Sequence, residues 1–226
     1  MSTGLALSNE PVPEDFVTMK RLSVTLFALC LAAAAVSAQQ PATAPASPAR
    51  PAAGNTWRVD SAHSSTGFSV KHMMVATVRG TLGPISGIVE YDGKDVSTIK
   101  ADIKIDVTKI NTGNASRDKD LRDGGFFEVD KYPTMTFKSK QVQPGGAGTF
   151  RMIGDLTMHG VTKEVTLEIE GPSPVVKVQN GGLKVGATAT TRVNRRDFGL
   201  NYNSVIEAGA VVGDDVTVTI DIELNK

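Results

Sequence analysis

A disulfide framework is absent from this sequence. Its 226 residues hold one cysteine, Cys30, so no intramolecular bridge can form and stability has to come from a buried core. Charge of one sign is also missing. Lys and Arg total 24 and Asp and Glu total 24, which excludes the basic excess that nucleic-acid binding draws on. Aromatics are sparse, with one Trp, three Tyr and eight Phe. Helical periodicity is nearly absent, and so are the HxH and HExxH spacings of common zinc sites and the GxSxG elbow of serine hydrolases. After Val36 no apolar run is long enough for a helix to span a membrane.

One apolar run does occur, and its setting explains it. Lys20 and Arg21 precede Leu22–Val36, and Val36-Ser37-Ala38 follows as a small-residue cleavage pattern. These are the three parts of a secretory signal peptide, over residues 19–38, and they predict export to the periplasm. Cys30 lies inside this leader, behind a bulky Leu29 that argues against a lipoprotein anchor. Residues 1–18 precede a better start at Met19 and read as a misassigned or extended N-terminus. Removing residues up to Ala38 takes two cations and three acids from the balance, leaving +1. Residues 39–54, QQPATAPASPARPAAG, are rich in Pro and Ala without hydrophobic pattern and read as a disordered linker. The folded domain is expected over residues 55–226, and about 170 residues can supply a core without cross-links.

Within that domain the period is two. Ile99, Ala101, Ile103, Ile105 and Val107 alternate with charged residues. Val161, Val165, Leu167 and Ile169, broken once by Lys163, and Val216, Val218, Ile220, Ile222 and Leu224 alternate likewise with threonines and acids. Leu183, Val185, Ala187 and Ala189 form a further series. Each predicts a strand with one wet and one apolar face. Turns are expected at Tyr91-Asp92-Gly93, Pro144-Gly145-Gly146, Asn180-Gly181-Gly182 and Gly213-Asp214-Asp215. Only Asn111–Arg122 reads as a short helix. The fold class expected is all-β: an antiparallel barrel of eight strands or slightly more, with one short helix. The outer faces are too charged to carry a second sheet, and closure removes the exposed edges. Ala101, Gly154, Ala187 and Ala189 are small inward residues that could leave a cavity, although a packed interior also uses such residues.

Four strings, in this order and spacing, resemble the YceI family of polyisoprenoid-binding proteins: WRVDSAHSSTGFSVKHMMVATVRG (Trp57–Gly80), NTGNASRDKDLRDGGFFEVDKYPTMTFKS (Asn111–Ser139), GDLTMHGVTKEVTL (Gly154–Leu167) and NRRDFGL (Asn194–Leu200). The resemblance covers about Trp57 to Leu224. It implies a lipocalin-like barrel, an elongated apolar tunnel for an isoprenoid chain such as a polyprenyl phosphate or a ubiquinone-like lipid, and an exported protein. One departure is Asp120, where many relatives carry His before the Leu, so the head group preferred here can differ.

The apolar tunnel or core set expected from the residues is Phe68, Val70, Met73, Ile103, Ile105, Phe126, Phe127, Phe137, Phe150, Met152 and Leu156, with Met74 a further candidate. Flexible thioethers suit adaptable apolar sites. His72, Arg117 and Arg195 are the candidate rim for a polar head group, because an Arg fork matches phosphate. The charged run Arg117–Arg122 reads equally as a solvated face with weak ion pairs. Asp60 and His63 suit a local hydrogen bond, and no catalytic residue, cofactor or metal is expected. The leading reading is a protein that holds a long isoprenoid for carriage, storage or stress response, with a membrane-associated donor or acceptor as a possible partner. An enzyme acting on a lipid-like substrate, or a packed barrel with an interacting or inhibitory outer surface, are the alternatives.

Overall fold

The computed structural model describes residues 54–226, except Asn180, Asn203, Ser204, Glu207 and Ala208, and the side chains of Val205, Ile206 and Ala210. The leader and all but the last residue of the linker fall outside the described residues. The described residues belong to one compact unit, Pro48–Lys226.

Among the described residues thirteen strands follow in chain order: β1 (Thr56–Val59), β2 (Ser65–His72), β3 (Ala76–Thr81), β4 (Ile85–Glu90), β5 (Lys100–Asp106), β6 (Thr134–Pro144), β7 (Thr149–Met158), β8 (Val161–Glu170), β9 (Val176–Lys177), β10 (Leu183–Asn194), β11 (Val205–Ile206), β12 (Gly209–Ala210) and β13 (Val212–Asn225). The single α-helix described, α1 (Ala115–Arg122), lies between β5 and β6. Neighbouring strands run β13-β1-β4-β5-β6-β7-β8-β10, and β10 pairs back to β13, which closes an antiparallel barrel of eight strands. β1 and β2 share one edge of β13, through Arg58↔Asn225 and Ser65↔Asp221. They act as one interrupted strand, and the β2–β3 hairpin carries the wall beyond the ring at one end.

Alternation dictates which residues face inward. In β5, Ala101, Ile103 and Ile105 are buried while Lys100, Asp102 and Lys104 are exposed. β7 buries Phe150, Met152, Gly154, Leu156 and Met158 in the same way. At Gly154 an added Cβ would lie 2.5 Å from Phe137 Cζ, so the glycine makes room for that ring.

Two local expectations meet tertiary structure. The helix begins four residues into Asn111–Arg122, at Ala115, directly after Asn114, which caps it by accepting from Arg117 N at 3.1 Å. Eight residues, six of them polar, would not hold a helix in water. Asp118, buried on this helix, anchors it by accepting from Thr112 N at 2.8 Å and Thr112 Oγ1 at 2.6 Å. The turn expected at Gly213-Asp214-Asp215 is a correction: these residues lie inside β13, where the register with β2 shifts between Val212 and Val216. The bulge turns Asp214 toward two arginines, a tertiary use of residues that locally favour a turn.

The wall is not uniform. β10 and β13 pair from Lys184↔Asn225 to Asn194↔Asp215, whereas β10 and β8 pair only over Thr188–Thr190. Beyond that the strands part, and Thr191 Oγ1 donates to Thr166 O at 2.8 Å across the seam. Lys163, the break in the β8 alternation, sits in the outer groove along this seam with Glu164, Arg192 and Asp197. Its side chain is not required to be apolar because the strand has left the closed wall.

Candidate functional site: the barrel interior

A cavity of about 190 Å³ lies inside the barrel. A cavity of about 150 Å³ with an aliphatic and aromatic lining already stays dry and admits benzene. The lining runs along whole strands. From β13 it takes Val212, Val216, Val218, Ile220, Ile222 and Leu224, a stretch of about 40 Å at 3.3 Å per residue. From β10 it takes Val185, Ala187, Ala189, Thr191 and Val193, ending at Arg195 just beyond. The lining therefore follows the strands along the barrel interior rather than gathering at one point. Apart from Tyr91, Thr136, Thr191 and Arg195, its lining side chains carry no hydrogen-bonding group.

The two ends differ. At one, the buried Trp57 donates from Nε1 to Tyr91 O at 2.9 Å and packs near the Tyr91 ring. Burial raises the Tyr91 pKa, and Asp92 and Asp95 add to the effect. At the other, α1 and the following turn supply Leu121, Phe126 and Phe127 to the lining, and the segment after β10 supplies Leu200. His159, in the β7–β8 turn at φ 51°, joins these pieces. Its Nδ1 lies 3.2 Å from Phe198 O, its Nε2 lies 3.4 Å from Glu128 Oε2, and its ring meets Tyr132 edge-on.

Ten of the eleven apolar residues expected from the sequence line the cavity: Phe68, Val70, Ile103, Ile105, Phe126, Phe127, Phe137, Phe150, Met152 and Leu156. Met73 is the correction. It sits at the tip of the β2–β3 hairpin with φ 50° and 36% exposure, and does not face the interior. Met74 is beside it, 55% exposed. A turn reverses the chain after His72, so the alternation of β2 stops before it reaches these residues.

The rim residues separate. Arg195 is 3% exposed and does reach the cavity lining. Its guanidinium is largely committed, donating to Gly213 O at 3.0 Å, Val212 O at 3.2 Å, Asp214 Oδ1 at 3.0 Å and also to Leu200 O. Burial pulls its pKa down, opposed by Asp214. Arg195 thus ties the bulge of β13 to the segment after β10. Arg117 does not line the cavity. It donates to Thr112 Oγ1 at 2.7 Å and Thr112 O at 3.2 Å, which makes it part of the anchor of α1. His72 is half-buried in the β2 ladder, opposite Val212 and Ala76, outside the lining. Leu200 and the role of His159 have no signal in the sequence, and Asp118 and Leu121 stand out there only as members of the charged run and of the family motif. An Asp within a helical charge run looks solvated until Thr112 is brought to it.

Asp60, His63 and Glu223 bring potential metal ligands together. Lys184 already supplies a cation there, bonded to Glu223 and 3.5 Å from Asp60. His63 Nδ1 lies 3.0 Å from Asp60 Oδ2, the local hydrogen bond that their spacing suggested. Asn225 first, and then His63, hold the Asp60 carboxyl well below the usual range. The neighbouring Ser64 accepts from Glu223 N at 3.0 Å, so its hydroxyl serves the backbone. No nucleophile–base pair is formed among these residues.

A closed antiparallel barrel with an apolar-lined interior cavity defines a lipocalin-like class of barrel. The chain belongs to the YceI family: residues 57–224 match the YceI-like domain. The UPF0312 protein SA2479 of Staphylococcus aureus (strain N315) is 36% identical over 167 residues, 74% of this chain and 95% of that protein. Among solved structures, BcnA of Burkholderia cenocepacia has the same fold at a TM-score of 0.63 and 21% identity, covering 73% of this chain and 98% of its own. A polyisoprenoid binding domain from Saccharophagus degradans, described as implicated in plant cell wall breakdown, gives a TM-score of 0.53 at 18% identity, covering 74% and 97%. At these identities the two structures speak for the fold alone.

Proposed function

We propose that this protein is an exported carrier or store for a long isoprenoid chain, such as a polyprenyl phosphate or a ubiquinone-like lipid, held in the barrel. The observation that carries the reading is the apolar interior cavity, lined along β10 and β13 by aliphatic side chains. The polyisoprenoid-binding description of the Saccharophagus degradans neighbour supports the choice of ligand class. Each buried methylene contributes about 0.8 kcal/mol, so a chain of several prenyl units gains on the order of 10 kcal/mol before association costs. The leader at residues 19–38 supports a periplasmic location.

No catalytic step is part of this reading. Hydrolysis or transfer would need a nucleophile and base facing the slot, whereas the lining offers Tyr91, two threonines and an arginine bonded to backbone and Asp214. Arg195 reaches the cavity end, but its committed hydrogen bonds favour a structural role over first contact with a phosphate.

Native mass spectrometry of the protein purified from cells tests the reading. A bound mass in the prenyl lipid range, displaced by added polyprenol, is the expected result. Repeated preparations without lipid, and no uptake of added polyprenol or quinone, would overturn it.

A further inference from the structure

The β2–β3 hairpin reverses through His72-Met73-Met74-Val75, with Val75 N donating to His72 O at 3.1 Å and with φ 50° and 58° at the two methionines. Two successive left-handed residues make a type I′ turn, for which Asn-Gly is the local preference. Bulky side chains there are strained. The turn also exposes what it carries: Met73 is 36%, Met74 55% and Val75 84% exposed. Three adjacent apolar residues at a strained, solvent-facing tip satisfy neither the turn nor the core.

The surroundings suggest an occupant. Between Asp60 and Glu90 the chain has no acid, while Lys71 and Arg79 flank the tip as exposed cations. On the adjoining β13, Asp214 is bonded by Arg195 and Arg196, and Asp215 lies 3.7 Å from Arg192. The tip joins the end of the cavity. Met73 N donates to Val211 O at 2.9 Å, and the next residue, Val212, lines the slot, as does Val70 on β2.

We propose that Met73, Met74 and Val75 dock this end of the barrel on an anionic lipid bilayer, inserting at the boundary between head groups and acyl chains, where cargo passes between membrane and slot. The idea rests on the reading of the barrel as a lipid carrier. The methionines supply flexible apolar surface, and Lys71 and Arg79 face the anionic head groups.

The native tryptophan, Trp57, is buried, so Val75→Trp places a second reporter on the tip of the whole chain. Vesicles of equal parts phosphatidylcholine and phosphatidylglycerol should shift its emission to the blue, and pure phosphatidylcholine vesicles should do so less. Adding Met73→Asn/Met74→Gly should weaken that response at least about tenfold, from the loss of two inserted side chains, while thermal stability holds or rises as turn strain is relieved. No blue shift with anionic vesicles, or an undiminished one in the triple variant, would overturn the proposal; binding to a protein partner alone would give the first of these outcomes. Polyprenol uptake from detergent micelles, measured on the same samples, separates the two readings. Its failure in the wild type counts against the carrier, and retained uptake without vesicle docking counts against the tip alone.

Discussion

Replacing Ala189 by Leu tests whether the barrel interior is a slot or a packed core. Ala189 is buried in the middle of β10, between Ile169 of β8 and Ile220 of β13, and lines the cavity. Leaving 190 Å³ unfilled corresponds to about 4–5 kcal/mol at 24 cal/mol per Å³. That is a large share of the 5–15 kcal/mol that separates folded from unfolded states. The Leu side chain adds three carbons to this space, worth about 2 kcal/mol of burial, less about 0.5–1 kcal/mol of rotamer entropy. The empty protein should therefore be stabilised by about 1–2 kcal/mol. For a domain of this size Tm should rise by about 2–8 °C. Over-packing a full core would have the opposite sign, costing about 1–3 kcal/mol.

Ligand linkage supplies the second half of the assay. A ligand that binds only the folded state at 100 times its Kd stabilises by about 2.7 kcal/mol. Melting curves of wild type and Ala189→Leu, each with and without a polyprenol, should show a higher Tm for the ligand-free variant and a smaller ligand-induced increment. A lower Tm without ligand, or an increment equal to that of the wild type, would refute the slot as the binding site.

Arg195→Met should destabilise by about 3–5 kcal/mol, because it strips three backbone carbonyls and Asp214 of a buried cationic partner; denaturant unfolding measures the loss. Asp118→Asn should cost about 1–2 kcal/mol by weakening the Thr112 anchor. Hydrogen bonds from Thr112 hold the Asp118 carboxyl below its ordinary 3.8, so its contribution is full above that pH and fades as pH falls through the lowered folded value. The stability gap between wild type and Asp118→Asn should accordingly narrow in acid, as urea melts at neutral and strongly acidic pH would show. Gly154→Ala should destabilise the fold by about 1–3 kcal/mol and so lower Tm, since its Cβ would come within 2.5 Å of the Phe137 ring and Lys138 O.

The barrel was legible because each long strand carries its own evidence. Charged residues at Lys100, Asp102 and Lys104 leave Ala101, Ile103 and Ile105 only one direction to point. The same logic brings ten of the eleven apolar residues expected from the sequence to the cavity lining. It stops at Met73, which is apolar yet exposed because a turn intervenes, and at Gly213-Asp214-Asp215, where turn-forming residues serve a bulge. Both are tertiary decisions. Arg117 and Arg195 looked alike as candidate rim cations, yet one is spent on Thr112 and the other on carbonyls brought together by β13 and the segment after β10. Partner choice of this kind is written in no local window. The cavity is harder still to read. Its volume is a small difference between the space a closed eight-stranded wall encloses and the summed volume of its inward side chains. Alternation identifies those side chains, and small ones such as Ala101 and Ala189 lower the sum. The enclosed space depends instead on strand tilt and stagger, and here also on the parting of β8 from β10 beyond Thr190, which the lone Lys163 in an apolar series marked without explaining.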